Sequence, residues 1–184
     1  MNPIFAAANE LQVACSTARL KFCFIGGLAV QRWGEPRMTR DVDMTLLTGF
    51  GAEEQFIDQL LQLFDGRLAD AKAFALQNRV LLLKAKNGVP LDVSLGAMPF
   101  EERTIERSSL FQVATGIRLR TCSAEDLVIH KVFAGRDKDW ADVRGIVDRQ
   151  PALNTDVIWD ELLPLLELRE DLASELKLRE LLDR

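Results

Sequence analysis

The stretch Phe24–Leu47, FIGGLAVQRWGEPRMTRDVDMTLL, decides the fold. An apolar run turns through Gly26-Gly27 and is followed by a short helical segment that Gly34 and Pro36 stop. Val42, Met44 and Leu46 then alternate with Asp41, Asp43 and Thr45, the period of two that marks a strand. Asp41 and Asp43 therefore share one strand face, with their backbones about 6.5–7 Å apart. Two carboxylates so placed repel each other, and burial raises their pKa. A divalent cation removes both penalties, because Mg²⁺ accepts a few carboxylates and fills its other positions with water or phosphate.

Working outward, the segment RVLLLKAKNGVPLDVSLG carries Asn87-Gly88 between two β-rich runs, which predicts a hairpin. On its second strand Val89, Leu91, Val93 and Leu95 share one face, and Asp92 and Ser94 take the other. Asp92 is thus a candidate third acid beside Asp41 and Asp43. Three acids from two strands suit two metals roughly 3.5–4 Å apart, the arrangement for in-line displacement at phosphorus. A lone D-x-D pair more often marks a solvated strand end or a salt bridge without a cation. The preceding Gly26-Gly27 tips the balance. Adjacent glycines let backbone N–H groups approach an anion, and the following helix start adds a favourable dipole.

The spacing predicts a helix over 3–20 and an amphipathic helix in GAEEQFIDQLLQLFDG, with Phe56, Leu60, Leu63 and Phe64 on one stripe. A second hairpin is expected around Thr115-Gly116. From Ser123 onward the pattern is helical, opening with Ser123 and Asp126 at capping-box spacing. The C-terminal helical run divides near Pro164 or Arg169. Its leucines, Leu162, Leu165, Leu166, Leu172, Leu176 and Leu181, suit packing on the core or a homodimer seam. These elements give an α+β fold: a mixed β-sheet core flanked by helices over 1–120, then a C-terminal helical subdomain over 121–184.

Composition narrows the class. The 184 residues are 48% hydrophobic and 28% charged with net charge −5, ordinary for a globular chain and without the basic field of a general nucleic-acid binder. The odd set Cys15, Cys23 and Cys122 reads as reduced thiols, and His130 alone argues against a Cys/His zinc site. The N-terminus lacks the basic region of a secretory signal, and no apolar run approaches the roughly 20 residues of a membrane span. A cytoplasmic protein is expected. Trp33, Trp140, Trp159 and His130 read as structural.

Taken together, the glycine turn, the D-x-D strand and the later acid resemble the DNA polymerase β-type nucleotidyltransferase superfamily. Within it the chain is most similar to the branch of abortive-infection type II toxins. A second block, EDLVIHKVFAGRDKDWADV, carries that branch's pattern of a helix lysine followed by an alanine, a basic residue and a Lys-Asp pair. The matching positions are Lys131, Ala134, Arg136, Lys138, Asp139 and Asp142. Gly27 stands where many members have serine.

The resemblance implies a metal-dependent enzyme that moves a nucleoside monophosphate from an NTP to an acceptor hydroxyl. The acceptor is an RNA end, a protein or a small molecule, and an antitoxin is the implied partner. Asp41, Asp43 and Asp92 would hold Mg²⁺ or Mn²⁺, with Asp92 also helping to deprotonate the acceptor. Gly26 and Gly27 would cradle phosphates, and Lys131 would clamp the triphosphate. Arg37, Thr39, Arg136 and Lys138 would add nucleotide contacts. The alternatives are a non-catalytic nucleotide-binding or protein-interaction module on the same fold, and phosphodiester hydrolysis, against which the glycine turn argues.

Overall fold

The structure, a computed structural model, describes residues 2–183. Helix α1 (Pro3–Thr17) starts where the Asn2 side chain accepts from the Ile4 N–H, with proline at the first turn. Strand β1 (Phe22–Phe24) leads into α2 (Gly26–Trp33). Strand β2 (Val42–Leu47) is followed by α3 (Glu53–Leu61), the two-residue β3 (Asp65–Gly66) and α4 (Ala71–Asn78). Strands β4 (Val80–Lys84) and β5 (Pro90–Gly96) form the hairpin expected around Asn87-Gly88. Helix α5 (Pro99–Glu106) precedes the second hairpin, β6 (Ser109–Ala114) and β7 (Ile117–Thr121).

The seven strands make one mixed sheet in the order β3-β4-β5-β2-β1-β7-β6. Strand β2 is central. It runs antiparallel to β1 and parallel to β5, and its register sets Asp43 directly opposite Asp92. The alternation read from the sequence becomes burial: Val42, Met44 and Leu46 of β2 and Leu91, Val93 and Leu95 of β5 enter the core, with Leu11 of α1 and Ile57 and Leu60 of α3. The parallel contact between β1 and β7 is short, with Phe24 opposite Thr121. Gln12 of α1 continues it, donating to the Arg118 carbonyl at 2.7 Å and accepting from the Arg120 N–H at 2.9 Å.

Chain contacts divide the molecule into two units. One holds the residues up to Leu28 and Met38–Cys122; the other holds Ala29–Arg37 and the chain from Ser123 on. The second unit contains α6 (Ala124–Ala134), α7 (Asp137–Arg149), α8 (Thr155–Leu168) and α9 (Leu172–Leu182). Ser123 caps α6 by accepting from the Asp126 N–H, and Gly135 ends it in the left-handed region. Pro164 lies inside α8, and the helix ends with Arg169 as its cap, after which Glu170 takes φ 55. Of the C-terminal leucines, Leu162, Leu166 and Leu181 are buried, whereas Leu172 and Leu176 are exposed.

Several sequence expectations need correction. Helix α1 ends at Thr17, because Arg19 turns into the left-handed region. Gly26 and Gly27 open a helix instead of closing a strand, and Asp41 precedes β2 instead of lying in it. Helices α4 and α5 were not legible: α4 carries only Ala71 and Ala75 to the core, too faint a stripe to read. Trp140 is buried, and Trp33 and Trp159 are half-buried beneath Arg32 and Arg179. The three cysteines carry no disulfide and are buried, which pushes the Cys15 thiol up to about 12. No helix among the described residues is long and apolar enough to cross a membrane.

The Gln12 side chain is the test of how α1 is attached to the sheet. Gln12→Ala leaves a strand carbonyl and N–H without these partners and is expected to destabilise the protein by about 1–3 kcal/mol. Urea denaturation of the two proteins measures the difference.

Candidate active site

The site is assembled where β1 ends and β2 begins. The Ile25 N–H donates to the Asp43 carbonyl at 3.0 Å, which ties the glycine corner to the acid strand. Gly26 then adopts φ 58. A Cβ at Gly26 would lie 2.0 Å from Asp43 Oδ2, so the carboxylate packs on bare backbone that no other residue could supply. A Cβ at Gly27 would lie 2.5 Å from Thr39 Oγ1. The space that a serine would need at position 27 is therefore taken by a threonine hydroxyl from the chain entering β2.

Asp41, Asp43 and Asp92 are brought together. Each is half-buried, and one oxygen from each lies within 4.8 Å of the others. Thr39 Oγ1 donates to Asp41 Oδ1 at 2.9 Å, so Asp41 is oriented from a residue two positions away. The Asp92 carboxyl is held above its ordinary value, first by burial and then by the Asp41 charge, while the nearby Arg67 guanidinium opposes the rise. Arg67 donates to Asp92 Oδ1. A donor set of three carboxylates is hard and all-oxygen, which fits Mg²⁺ or Mn²⁺ and is a poor match for soft metals.

The remaining candidates, Arg37, Lys131, Arg136 and Lys138, all belong to the second unit. Lys131 is buried on α6, with Nζ 3.1 Å from Asp139 Oδ1 and 2.8 Å from Asp142 Oδ2. Arg37 grips both oxygens of Asp142, at 2.7 and 2.9 Å. Arg136 Nε lies 2.5 Å from Asp139 Oδ2. Lys138 is exposed. Three cations thus alternate with two buried carboxylates. Burial opposes ionisation of Asp139 and Asp142, but hydrogen bonds from Arg136 and Lys131, and from Arg37 and Lys131, outweigh it and hold both below the ordinary range.

Sequence reasoning missed Arg67. It lies in no motif, and only the strand register reveals that it reaches Asp92. The double grip of Arg37 on Asp142 was also invisible, since the two are 105 positions apart.

The family model described as "Nucleotidyl transferase AbiEii toxin, Type IV TA system" matches residues 11–183. No curated protein matches the chain. Among solved structures, the chain is similar to an antigenic nucleotidyltransferase-like protein from Paracoccidioides brasiliensis, at 18% identity and TM-score 0.56 over 94% of this chain and 91% of that one. It is also similar to the antibiotic-resistance factor ANT(2'')-Ia. In the complex with adenylyl-2''-tobramycin the identity is 15% and the TM-score 0.58, over 90% of this chain and 98% of that one. In the solution structure the identity is 15% and the TM-score 0.53, over 96% of both chains. At such identities the likeness is one of fold.

Two expectations follow from the site's construction. Gly26→Ala forces a side chain into the Asp43 carboxylate at a left-handed backbone position. It is expected to cost about 2 kcal/mol or more, read as a lowered denaturation midpoint. Asp139 and Asp142 stabilise the fold in their ionised form, since both are held below the ordinary value. That contribution is complete above the unfolded value of about 3.9 and is lost as the pH falls through the lowered folded values. Asp142→Asn is therefore expected to be less stable than wild type at pH 7, by about 1–3 kcal/mol, with the gap closing below pH ~4. Denaturation midpoints across a pH series check this.

Proposed function

This chain belongs to the AbiEii nucleotidyl transferase toxin family of type IV toxin–antitoxin systems, and from that premise we propose a metal-dependent transfer of a nucleoside monophosphate from an NTP to an acceptor hydroxyl. The observation that carries the reading is the convergence of Asp41, Asp43 and Asp92 beside the Gly26 corner. In this reading the three carboxylates hold Mg²⁺ or Mn²⁺. A cation there would neutralise phosphate charge and favour the alkoxide form of the acceptor.

The chain's own groups do the rest. Asp43 is held in place by the bare backbone of Gly26, and Asp41 by the Thr39 hydroxyl. The glycine corner presents the start of α2 to the triphosphate, where backbone N–H groups and the helix dipole favour negative charge. The acceptor oxygen attacks the α-phosphorus, the bond from that phosphorus to the bridging oxygen breaks, and pyrophosphate leaves with the electron pair. Asp92, beside the acceptor in this reading, would take the acceptor proton. Arg37, Lys131, Arg136 and Lys138 enter this proposal as contacts for the triphosphate. Arg37, Lys131 and Arg136 are held in place by the aspartates of their own unit. The acceptor class, an RNA end, a protein hydroxyl or a small molecule, and an antitoxin partner belong to the same proposal.

The decisive comparison is wild type against Asp43→Ala. Calorimetry with Mg²⁺ and each NTP should show a bound nucleotide for wild type and a weakened one for the variant. Label transfer from α-labelled NTPs to a mixture of tRNA, protein and aminoglycoside acceptors should fall by roughly 100-fold or more. Equal binding and equal labelling by both proteins would remove the aspartates from the mechanism.

A further inference from the structure

Arg67 is the residue at the acid cluster that no motif explains. Its N–H donates to the Leu82 carbonyl at 2.9 Å, just beyond the β3–β4 pairing. Leu82 is the register partner of Asp92, and Asp92 is the register partner of Asp43. Arg67, Leu82, Asp92 and Asp43 therefore lie in one row across the sheet. With strands about 4.8 Å apart, Arg67 starts two strand spacings from Asp92, roughly 10 Å, and aims back along the row. Its guanidinium meets Asp92 Oδ1, and the two side chains keep only 30% and 33% exposure. The pair is partly shielded, so salt screens it weakly.

The same carboxylate offers a ligand atom to the cluster of Asp41, Asp43 and Asp92. Asp92 thus has two claimants, a guanidinium that is always charged and a divalent cation. Both cannot take its full charge, and a fixed positive group beside the cluster repels the ion that approaches it. We propose that Arg67 is a resident counter-ion of Asp92 that competes with the divalent cation for it. Arg67 is a positioning residue: it holds the third acid in place while lowering the affinity of any cation that uses Asp92. The inference rests on the cation reading of the three aspartates.

The test is a Mn²⁺ titration of the full chain without nucleotide, followed by the electron paramagnetic resonance of free Mn²⁺. Arg67→Ala is expected to bind Mn²⁺ about tenfold tighter than wild type. Arg67→Gln, which keeps a donor without the charge, should behave alike. Arg67→Lys, which keeps the charge, should stay near wild type. In an Asp92→Asn background the gain from Arg67→Ala should vanish, which a purely structural role for Arg67 would not produce. Affinity in Arg67→Ala and Arg67→Gln equal to or weaker than wild type, with Asp43→Ala still abolishing binding, overturns this inference and leaves the cation site standing. Mn²⁺ binding that ignores Asp43→Ala, or is absent throughout, overturns the cation reading and this inference with it.

Discussion

Mutual repulsion of three carboxylates is the constraint around which the first unit is built. Strand register sets Asp43 opposite Asp92, the chain entering β2 adds Asp41, and one oxygen from each lies within 4.8 Å of the others, a costly arrangement that persists only when the surroundings over-determine it. The surroundings do so in three ways. Gly26 lets backbone, with no side chain, face Asp43. Thr39 ties down Asp41. Arg67 sets a positive charge against Asp92. The apolar faces of β2 and β5 hold the acid-bearing strands in the core, so the acids cannot separate without unpacking Val42, Met44, Leu91 and Val93.

The second unit solves a related problem with opposite materials. Asp139 and Asp142 are buried, and each is paired twice, Asp139 with Lys131 and Arg136, Asp142 with Lys131 and Arg37. Buried ion pairs seldom add net stability over apolar packing, although removing one partner is costly. Their effect here is geometric: Arg37, Lys131 and Arg136 are each fixed within the unit. The family resemblance picked out the same block, and the structure gives a physical reason for its spacing. Lys131 lies on α6 and reaches Asp139 and Asp142, one turn apart on α7, while Arg136 sits at the cap position just before α7.

Fold and family establish a nucleotidyltransferase. They leave the acceptor to the site, because one fold of this kind carries different acceptors. The ANT(2'')-Ia complex with adenylyl-2''-tobramycin shares the fold with this chain at 15% identity, too distant to transfer a substrate. The negative net charge leaves a local basic rim as the way to hold a long nucleic acid.

How much was legible in the sequence follows from the range of the forces involved. Local patterns determined the alternating strands, both hairpins, the Ser123 cap and the glycine corner, because each depends on residues within a few positions of one another. Asp43 and Asp92 were legible for the same reason: a charged residue on the polar face of an otherwise apolar strand is visible without a partner, and Asp41 was picked out by the same alternation although it lies just before the strand. Tertiary structure alone decided that Asp43 stands opposite Asp92, that Arg67 reaches across β4 to β5, and that Arg37 grips an aspartate 105 positions away. Those contacts are made between elements, and their geometry is set by the register and packing of the whole sheet and bundle, which no short stretch of chain encodes.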